Sequence, residues 1–458
     1  MSPMPGSPAT PASASAPSAT SAPPWPSAAA AWGMIAVLFF ASMVSTLDRA
    51  LINLVVDPLK HDLVLTDVQI SLLQGLAFGI FYATVGLPVG LAADRYSRRG
   101  LIIAGVSVWS LATMASGYVA SFGELFAARL LVGLGEAALS PAAISLIADL
   151  FPPEKRGRPI GVFLMGQALA TGVAISTGAG AGEAAARGGF AGVPWLAGLA
   201  PWRVAFVLAG TLGVLVVGGL LLAREPVRRR ALDGAPSAQA GSADQFGAHA
   251  LACLRFLRSR AAVFVPLYLG FALVFVAVYG AAAWTPTMLM RGFGATRAEV
   301  GQWLGPLSMT ASILGAVVGG TIIDRSARRG ARVGHLGILA LVPFLIIPSG
   351  FAVLAPGFVA SAVLVASANL FVPTVSTGVL ATLQSSMPPD MRGLSVALTG
   401  LVNTLLGATF GPLIIAALTD RVFVDPAAVG YSIGWVVVPS LLLASAAFAW
   451  ARRELARG

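Results

Sequence analysis

The segment Gly90-Leu-Ala-Ala-Asp94-Arg95-Tyr-Ser-Arg98-Arg99-Gly100 returns 230 residues later as Gly320-Thr-Ile-Ile-Asp324-Arg325-Ser-Ala-Arg328-Arg329-Gly330. A second pair of related segments follows in the same order, because Pro152-Pro153-Glu154-Lys155-Arg156-Gly157 returns as Pro388-Pro389-Asp390-Met391-Arg392-Gly393. Two independent motifs that recur in the same order at nearly one offset indicate that the chain consists of two related halves.

Long apolar stretches fill the chain between these motifs. Of 458 residues, 57% are hydrophobic and 10% are charged, whereas a soluble domain has about 25% charged residues. A helix needs about 20 mostly apolar residues to cross the hydrocarbon layer, and the runs here are continuous rather than alternating as in a membrane barrel. The composition therefore excludes a soluble protein and predicts an all-α polytopic membrane protein.

Twelve transmembrane helices are predicted, six in each half. The predicted spans 1 to 12 are 33–56, 68–93, 101–119, 125–149, 159–180, 203–223, 262–289, 299–323, 334–354, 358–385, 394–419 and 430–450. The predicted organisation is a disordered tail rich in Pro, Ala and Ser (1–30), a first half (31–223), a cytoplasmic linker (224–260), a second half (261–451) and a short cytoplasmic tail (452–458). Parallel repeats of this kind bind substrate at the interface between the halves.

The distribution of basic residues predicts the orientation. Loops after even-numbered spans, together with the C-terminus, hold 21 of the 29 Lys and Arg residues, and loops after odd-numbered spans hold 6. Cytoplasmic loops retain basic residues, so both termini are predicted to be cytoplasmic in a cell (inner) membrane. The net charge of +10 is explained by topology, and no nucleic-acid partner is expected.

No cofactor or metal is expected. The chain has one cysteine, Cys253, and three histidines, His61, His249 and His335, which lie in or beside predicted loops; this pattern matches no metal-site spacing. The two lysines, Lys60 and Lys155, lie outside any Gly-x-x-x-x-Gly-Lys-Ser/Thr phosphate loop, which disfavours an ATP-driven pump.

The repeated loop motif has a physical interpretation as a conformational latch. Gly90 allows neighbouring helices to approach, Asp94 can accept hydrogen bonds from a helix N-terminus or an arginine, and the arginines face the anionic leaflet. Topology-setting charge alone is the simpler interpretation, but duplication of Gly and Asp favours the latch. The predicted latch residues are Gly90, Asp94, Arg95, Arg98, Arg99, Asp149, Arg156, Gly320, Asp324, Arg325, Arg328 and Arg392.

Spans 1 and 4 carry charges inside the predicted membrane region. Span 4 contains Arg129-Leu-Leu-Val-Gly133-Leu-Gly135-Glu136-Ala137, and span 1 contains Asp48 and Arg49. Because charges in a bilayer are costly unless paired and turned inward, Asp48, Arg49, Arg129 and Glu136 are predicted to face one cavity. A static ion-pair network is one interpretation; the other is a proton-coupled site with Asp48 as the protonated group, the arginines as partners or anion ligands, and Glu136 as a tuning or relay group.

The loop motif and the Arg-x-x-x-Gly-x-Gly-x-Ala pattern of span 4 resemble the signatures of the major facilitator superfamily, with Ser97 and Ala327 where that family usually has glycine. The resemblance implies twelve helices in two six-helix halves. The string from Asp48-Arg49 through Pro58-Leu-Lys60-His-Asp62-Leu to Ala148-Asp149-Leu-Phe-Pro-Pro is similar to the Spinster-like branch, which implies secondary transport of amphipathic lipids or organic molecules.

Polar and aromatic side chains of the second half are candidates for the substrate cavity. They are Tyr279, Trp284, Asn369, Gln384 and Asn403, since aromatic rings suit an apolar ligand and amides orient a polar end. Packing or interhelical hydrogen bonding is the alternative role for each. Pro286, Pro306, Pro373 and Gly411-Pro412 are expected to permit helix bending.

The sequence therefore favours a proton-coupled secondary transporter that is not an enzyme, acts as a monomer, and moves an amphipathic or anionic organic molecule by alternating access. A proton-independent facilitator of the same fold is the nearest alternative, and a non-transporting membrane receptor is another. An intramembrane lipid-modifying enzyme is disfavoured because the spans offer no nucleophile and base pair.

Overall fold

The computed structural model describes residues 25–152, 155–190, 192–228, 243–328, 334–388 and 391–457. Within these ranges the backbone is almost wholly helical and forms no β-strand. Eleven of the described segments are long and apolar enough to cross a membrane, and the 30-residue helix Gly157–Ala186 corresponds to the predicted fifth span. The predicted all-α architecture of twelve spans is confirmed.

The first half contains spans 1 to 6. Span 1 is Ala28–Leu54, and a short helix, Val56–Leu63, follows it. The remaining spans are Asp67–Ser71 with Leu72–Leu76 and Ala77–Arg95 (span 2), Arg98–Ser116 (span 3), Phe122–Glu136 with Leu139–Leu150 (span 4), Gly157–Ala186 (span 5) and Pro201–Leu222 (span 6).

The second half contains spans 7 to 12, and a helix precedes it. The helix Ala243–Ser259, here called the linker helix, lies within the segment predicted only as a linker. The spans are Ala261–Phe293 (7), Arg297–Arg328 (8), Gly334–Ile346 with Ile347–Leu354 (9), Phe358–Ala368 with Val372–Ser386 (10), Arg392–Val402 with Asn403–Phe410, Gly411–Leu418 and Thr419–Phe423 (11), and Val429–Arg457 (12).

Both predicted tails are shorter than expected. Span 1 already includes Ala28–Ala30, because the Ser27 side chain caps the helix by accepting a hydrogen bond from the Ala30 N–H (3.3 Å). At the other end, span 12 continues through the predicted tail as far as Arg457. The rest of the predicted N-terminal tail, residues 1–24, lies outside the described residues.

Several spans are interrupted near their middle. Span 2 has a π-helical segment at Leu72–Leu76, and span 11 has one at Asn403–Phe410. The helix of span 4 stops at Glu136 and resumes at Leu139, and that of span 10 stops at Ala368 and resumes at Val372. Within a membrane, irregular backbone is tolerated where it is buried in protein or lines a cavity, so these interruptions mark the interior of the molecule.

The two halves share an apolar core at one end of the spans. There the C-terminal end of span 1, with Leu51, Ile52 and Leu54, packs in one cluster with Trp284 and Met288 of span 7. A second cluster, from Ala31 in span 1 to Leu220 in span 6, belongs to the first half alone. The two halves are therefore in contact, and the space between them is closed, at the end of the molecule where Leu54 and Met288 lie.

Glycines allow the closest helix contacts around the core. Gly75 of span 2 lies so near the Ala408 carbonyl of span 11 that a Cβ atom would overlap it. Gly133 and Gly135 of span 4 contact the backbones of Phe78 in span 2 and Gly105 in span 3 in the same way. Small residues at helix interfaces permit such approach, and here they fix the height and rotation of span 4.

Candidate functional site

A cavity between the two halves forms the centre of the candidate site. It has a volume of about 620 Å³ and adjoins a second space of about 360 Å³, and Arg49, Tyr279 and Thr404 line both. We call the two together the central cavity. Ligand sites of transporters with parallel repeats lie at this interface, and the combined volume is in the range of small-molecule sites.

Arg49 and Glu136 form an ion pair in the wall of the central cavity. The Arg49 Nε lies 3.2 Å from the Glu136 Oε2, which also accepts a hydrogen bond from the Ser45 hydroxyl (2.6 Å). The Glu136 side chain is 1% exposed and the Arg49 side chain 36% exposed. The guanidinium also lies over the Phe78 ring, 5.1 Å from its centroid. The pair is thus accessible from the cavity through its arginine.

Glu136 lies at the midpoint of span 4. It is separated by 14 residues from each end of the segment Phe122–Leu150, which is about 21 Å along the axis at 1.5 Å per residue. Its second carboxylate oxygen, Oε1, has no hydrogen-bond partner among the described residues. A carboxylate at this depth with one free oxygen is costly unless it is protonated or receives another donor.

Asp48 and Arg129 form a separate buried pair. The Arg129 Nη1 lies 3.4 Å from the Asp48 Oδ1, and the Thr113 hydroxyl donates to the Asp48 Oδ2 at 2.8 Å. The Arg129 guanidinium lies over the Phe206 ring, 4.8 Å from its centroid. Both side chains are 3% exposed, and neither is among the residues that line the central cavity.

The four charged residues predicted to share one cavity are thus divided into two pairs. Asp48 and Arg49 are consecutive, so they project about 100° apart around a helix with 3.6 residues per turn. Asp48 enters the interior of the first half between spans 3, 4 and 6, while Arg49 lines the central cavity between the halves. On span 4, Arg129 and Glu136 share a face but lie two turns apart. Arg129 therefore pairs with Asp48 of span 1, and Glu136 pairs with Arg49.

The predicted cavity residues of the second half have different positions. Tyr279 and Asn403 line the central cavity, and Asn369 lines a smaller cavity within the second half. Trp284 is fully buried, and its Nε1 donates to the Pro412 carbonyl (3.1 Å), so it joins spans 7 and 11 rather than lining either space. The Gln384 side chain lies outside the described residues.

Several residues that line the central cavity were not predicted from the sequence. Ser45, Thr46, Tyr82, Gln167 and Thr404 line the central cavity or its extension. They are single uncharged polar residues in apolar helices, and such residues equally often bond to their own backbone. Spacing from Arg49 could have found Ser45 and Thr46, since residues three or four apart on a helix share a face.

A cluster of charged groups joins spans 3, 4 and 6 at the end remote from Leu54. Arg98 is buried and contacts Asp149 of span 4, and its Nε lies 3.2 Å from the Glu225 Oε1 after span 6. The Arg98 N–H (2.8 Å) and the Ser97 hydroxyl also donate to Glu225. Burial opposes ionisation of Glu225, but these hydrogen bonds and the arginine charge hold its pKa below its ordinary value.

This cluster contains only part of the predicted latch. Arg99 donates to the Ala223 carbonyl (2.6 Å), and Arg156 donates to the Ala148 (2.6 Å) and Phe151 (3.0 Å) carbonyls. The contacts of Arg99 and Arg156 lie within the first half, and those of Arg98 extend to Glu225 and Pro226 at the start of the linker. Arg325 is exposed and Gly320 is half-buried; the side chains of Asp94, Arg95, Asp324, Arg328 and Arg392, and the surroundings of Gly90, lie outside the described residues. Glu225, which the sequence analysis missed, is the first acidic residue after span 6.

A second set of ion pairs connects the two halves at the closed end. Arg291, at the end of span 7, lies 2.6 Å from Asp57 and 3.0 Å from Asp67, and Lys60 lies 2.6 Å from Asp67. We call Arg291, Asp57, Asp67 and Lys60 the Arg291 cluster. Beside it the Val68 N–H donates to Asp420 of span 11 (3.0 Å). The Asp67 carboxylate is fully buried, so its bonds to Arg291 and Lys60 are shielded from water and stronger than surface pairs, whereas the Asp57 side chain is 42% exposed.

Comparison with known proteins gives a consistent result. The family model for the Major Facilitator Superfamily matches residues 38–412. The chain is 28% identical over 397 residues, 86% of either chain, to a protein named MFS-type efflux pump from Mycolicibacterium smegmatis. It is 25% identical over 410 residues to Protein spinster homolog 1 of Xenopus laevis, which covers 85% of this chain and 73% of that one.

A solved structure supports the fold. The crystal structure of a bacterial homolog of the human lysosomal transporter Spinster, in an inward-facing and unoccupied conformation, superposes with a TM-score of 0.80. The two sequences are 24% identical, and the match covers 94% of this chain and 99% of that chain.

Proposed function

The chain belongs to the major facilitator superfamily, and from that membership we propose that it is a proton-coupled secondary transporter of a small amphipathic or anionic organic molecule. Its relatives are transporters and not enzymes, so the chain is a multi-pass membrane protein that moves a small molecule. In the proposed function the coupling ion is a proton, the substrate is amphipathic or anionic, and the mechanism is alternating access.

The Arg49–Glu136 ion pair carries the proposal. It is at membrane depth, in the wall of the central cavity, and combines a proton acceptor with a cation. Protonation of Glu136 removes the charge that neutralises Arg49, and the guanidinium then attracts an anionic group of the substrate. Proton and substrate anion therefore favour each other's binding, which is the thermodynamic requirement for coupling.

The second pair has a structural role in this scheme. Asp48 is held by Arg129 and Thr113 inside the first half, so its proton exchange with the cavity requires these contacts to break. The geometry favours Glu136 over Asp48 as the group that exchanges protons with the cavity. Asp48 and Arg129 keep spans 1, 3 and 4 in register, and this fixes the position of Arg49 and Ser45.

The mechanism is alternating access. In this conformation the Arg291 cluster and the shared apolar core close the end of Leu54 and Met288, while the central cavity reaches Leu254 and Leu257 of the linker helix at the other end. The basic-residue distribution makes the linker side cytoplasmic. The proposed transporter is thus open to the cytoplasm here, acts as a monomer in the cell (inner) membrane, and has both termini in the cytoplasm.

The test uses purified protein in liposomes loaded with a pH-sensitive dye. A panel of amphipathic and carboxylic compounds, including lysophosphatidylcholine, hexanoate and decanoate, is added in the absence of a proton gradient. The proposal expects at least one compound to drive dye-reported proton movement in the wild type beyond that in protein-free liposomes, and expects Glu136→Gln to bind that compound without moving protons beyond that level. Flux of a compound with no accompanying proton movement would indicate a facilitator instead. Ligand-induced thermal stabilisation with no flux would indicate a receptor.

A further inference from the structure

A second, smaller cavity lies entirely within the second half of the molecule. It has a volume of about 200 Å³ and is bounded by spans 7, 8, 9, 10 and 12. None of the described residues that line it is charged. Its polar lining residues are Tyr279, Thr285, Ser308, Ser312, Ser349 and Asn369, and we call this space the hydroxyl pocket.

The hydroxyl pocket offers hydrogen bonds that the protein itself does not use. The Thr285 and Ser349 hydroxyls donate to carbonyls of their own helices (both 2.7 Å), which leaves their oxygen lone pairs available as acceptors. The Ser308 residue is buried, with 7% of its surface exposed. Among the described residues, neither the Ser308 hydroxyl nor the side-chain amide of Asn369 forms a hydrogen bond, whereas the Asn369 backbone N–H donates to the Ala366 carbonyl (3.0 Å). Polar groups in this state inside a membrane require a partner.

The backbone next to the pocket is also interrupted. Span 10 stops at Ala368 and resumes at Val372, so Asn369 lies at a break in the middle of a transmembrane segment. Gly315 of span 8 packs against the Asn369 and Leu370 carbonyls, where any side chain would overlap them. Discontinuous membrane helices that line a cavity form ligand sites in transporters. The break in span 10 thus supports a ligand site at the hydroxyl pocket independently of the pocket's hydroxyl groups.

Tyr279 connects the hydroxyl pocket to the central cavity. It lines the pocket and both parts of the central cavity, and it is 37% exposed although it lies within the membrane region. Ala282 and Pro286 also line both the pocket and the part of the central cavity with a volume of about 360 Å³. Among the described residues, Tyr279 is therefore the one large side chain between the two spaces, and its rotamer sets the width of the passage. The pocket has the size of a few water molecules at about 30 Å³ each, which corresponds to a small substituent rather than a whole substrate.

We propose that the hydroxyl pocket is a second subsite, which binds an uncharged hydroxyl- or amide-bearing group of the transported molecule. It rests on the proposed transport function and narrows the substrate class. The substrate then carries an anionic group for Arg49 and a neutral hydrogen-bonding branch for Ser308 and Asn369. A charged branch is disfavoured because the pocket offers it no counter-ion and burial of an unpaired charge is costly.

Cysteine accessibility tests the proposal without knowledge of the substrate. Cys253 is the single cysteine of the chain, so Cys253→Ala provides a cysteine-free background for Ser308→Cys. The reagent is methyl methanethiosulfonate, which is small and uncharged, and the competing probes are glycerol and xylitol. The background is combined with Ser361→Cys as a buried control in span 10 and with Ser259→Cys as an exposed control on the linker helix.

The expected result has three parts. Ser308→Cys reacts about tenfold faster than Ser361→Cys, and saturating glycerol or xylitol slows it about tenfold, equivalent to about 1.4 kcal/mol. Hexanoate does not slow the labelling of Ser308→Cys, whereas the additional substitution Tyr279→Trp does. The labelling of Ser259→Cys is unaffected by any of the probes. Ser312→Cys, which faces the same pocket, replaces Ser308→Cys if that variant does not fold.

Two outcomes overturn the proposal. Absence of labelling at both Ser308→Cys and Ser312→Cys means that the pocket is closed to ligands. Labelling that neither polyol slows means that the pocket holds only water. Both outcomes are independent of proton coupling, which the Glu136→Gln measurement tests, so failure of the subsite and failure of the proposed function are distinguishable.

Discussion

Asp48 and Arg49 are adjacent in the chain, but their side chains lie in different environments. Asp48 is bonded to Arg129 and Thr113 inside the first half, while Arg49 reaches Glu136 at the wall of the central cavity. The two residues therefore belong to different ion pairs with different consequences of substitution. Their separation provides the first prediction.

Glu136→Gln is predicted to affect proton movement, and Asp48→Asn is predicted to affect stability. Glu136→Gln preserves the shape of the side chain and removes the proton acceptor, so we expect a folded protein that binds ligand without proton movement. Asp48→Asn leaves Arg129 buried without its counter-ion, and removal of one partner of a buried pair costs about 3–5 kcal/mol. We therefore expect a large decrease in thermal stability for Asp48→Asn, measured by tryptophan fluorescence in detergent micelles.

The double variant Asp48→Asn with Arg129→Gln is the control for this prediction. It removes both charges, so stability should largely return, since no unpaired charge remains. If Asp48→Asn is as stable as the wild type but loses proton coupling, then Asp48 is the protonated group and the assignment to Glu136 is wrong.

Arg291→Gln is predicted to weaken closure of the end where the halves meet. The substitution removes the pairs with Asp57 and Asp67, and Asp67 keeps only Lys60 as a charged partner among the described residues. We expect the population to shift toward the conformation open at this end. Double electron–electron resonance between labels on spans 1 and 7 measures this as a longer distance component.

Arg421→Gln is the matched control for Arg291→Gln. Arg421 is a basic residue on the same end of the molecule, but it is exposed and lies outside the Arg291 cluster. Its replacement should leave the distance distribution unchanged. Equal distributions for Arg291→Gln and the wild type would show that the apolar core alone closes this end.

Glu225→Gln is predicted to reduce stability in a pH-dependent manner. A carboxyl group whose pKa is lowered in the folded protein contributes stability above its unfolded pKa of about 4.3, and this contribution is lost as the pH falls through the folded value. The melting temperature of the wild type should therefore exceed that of Glu225→Gln by a constant amount from neutral pH down to about pH 5. Below that the two values should converge.

Glu454→Gln is the control for Glu225→Gln, because Glu454 forms an exposed pair with Arg457 near the C-terminus. Its replacement should change the melting temperature little at any pH, as surface pairs contribute about 0–1 kcal/mol. A difference between wild type and Glu225→Gln that persists unchanged to pH 3 would contradict the role assigned to the ionised carboxylate.

Gly75→Ala is predicted to separate spans 2 and 11. The added Cβ meets the Ala408 carbonyl, which belongs to the backbone and cannot rotate away. We expect slower substrate exchange and a loss of about 1–3 kcal/mol in stability, typical of overpacking. Gly218→Ala in span 6 has open space around the new Cβ and should behave as the wild type in the same flux and melting measurements.

The number and order of the spans could be predicted from the sequence because each span is a long apolar run. The exact positions of the breaks within spans could not be predicted, since a run such as span 10 is apolar on both sides of Asn369. The proline at position 373 indicated bending near this place, and the observed break ends at Val372. The linker helix was missed because its arginines and small residues are typical of a connecting segment.

The site could be predicted in part. The charged residues of spans 1 and 4 were found because charge within an apolar run is rare. Their grouping could not be derived, because the rotation of span 1 relative to span 4 depends on tertiary contacts such as that between Gly133 and Phe78. Hydroxyl groups such as those of Ser308 and Thr404 carry too weak a signal in sequence to be assigned to a cavity.

The two charged groups in the described wall of the central cavity, Arg49 and Glu136, both come from the first half, while the second half contributes Tyr279, Asn403 and Thr404. Under the proposed mechanism, the ion pair that couples transport to protons therefore belongs to the first of the two related halves, and the second half supplies only uncharged groups among the described lining residues. Substitutions in the second half can then change which molecule is bound while the ion pair is kept. Redesign of this transporter for a new cargo should accordingly begin downstream of the linker helix.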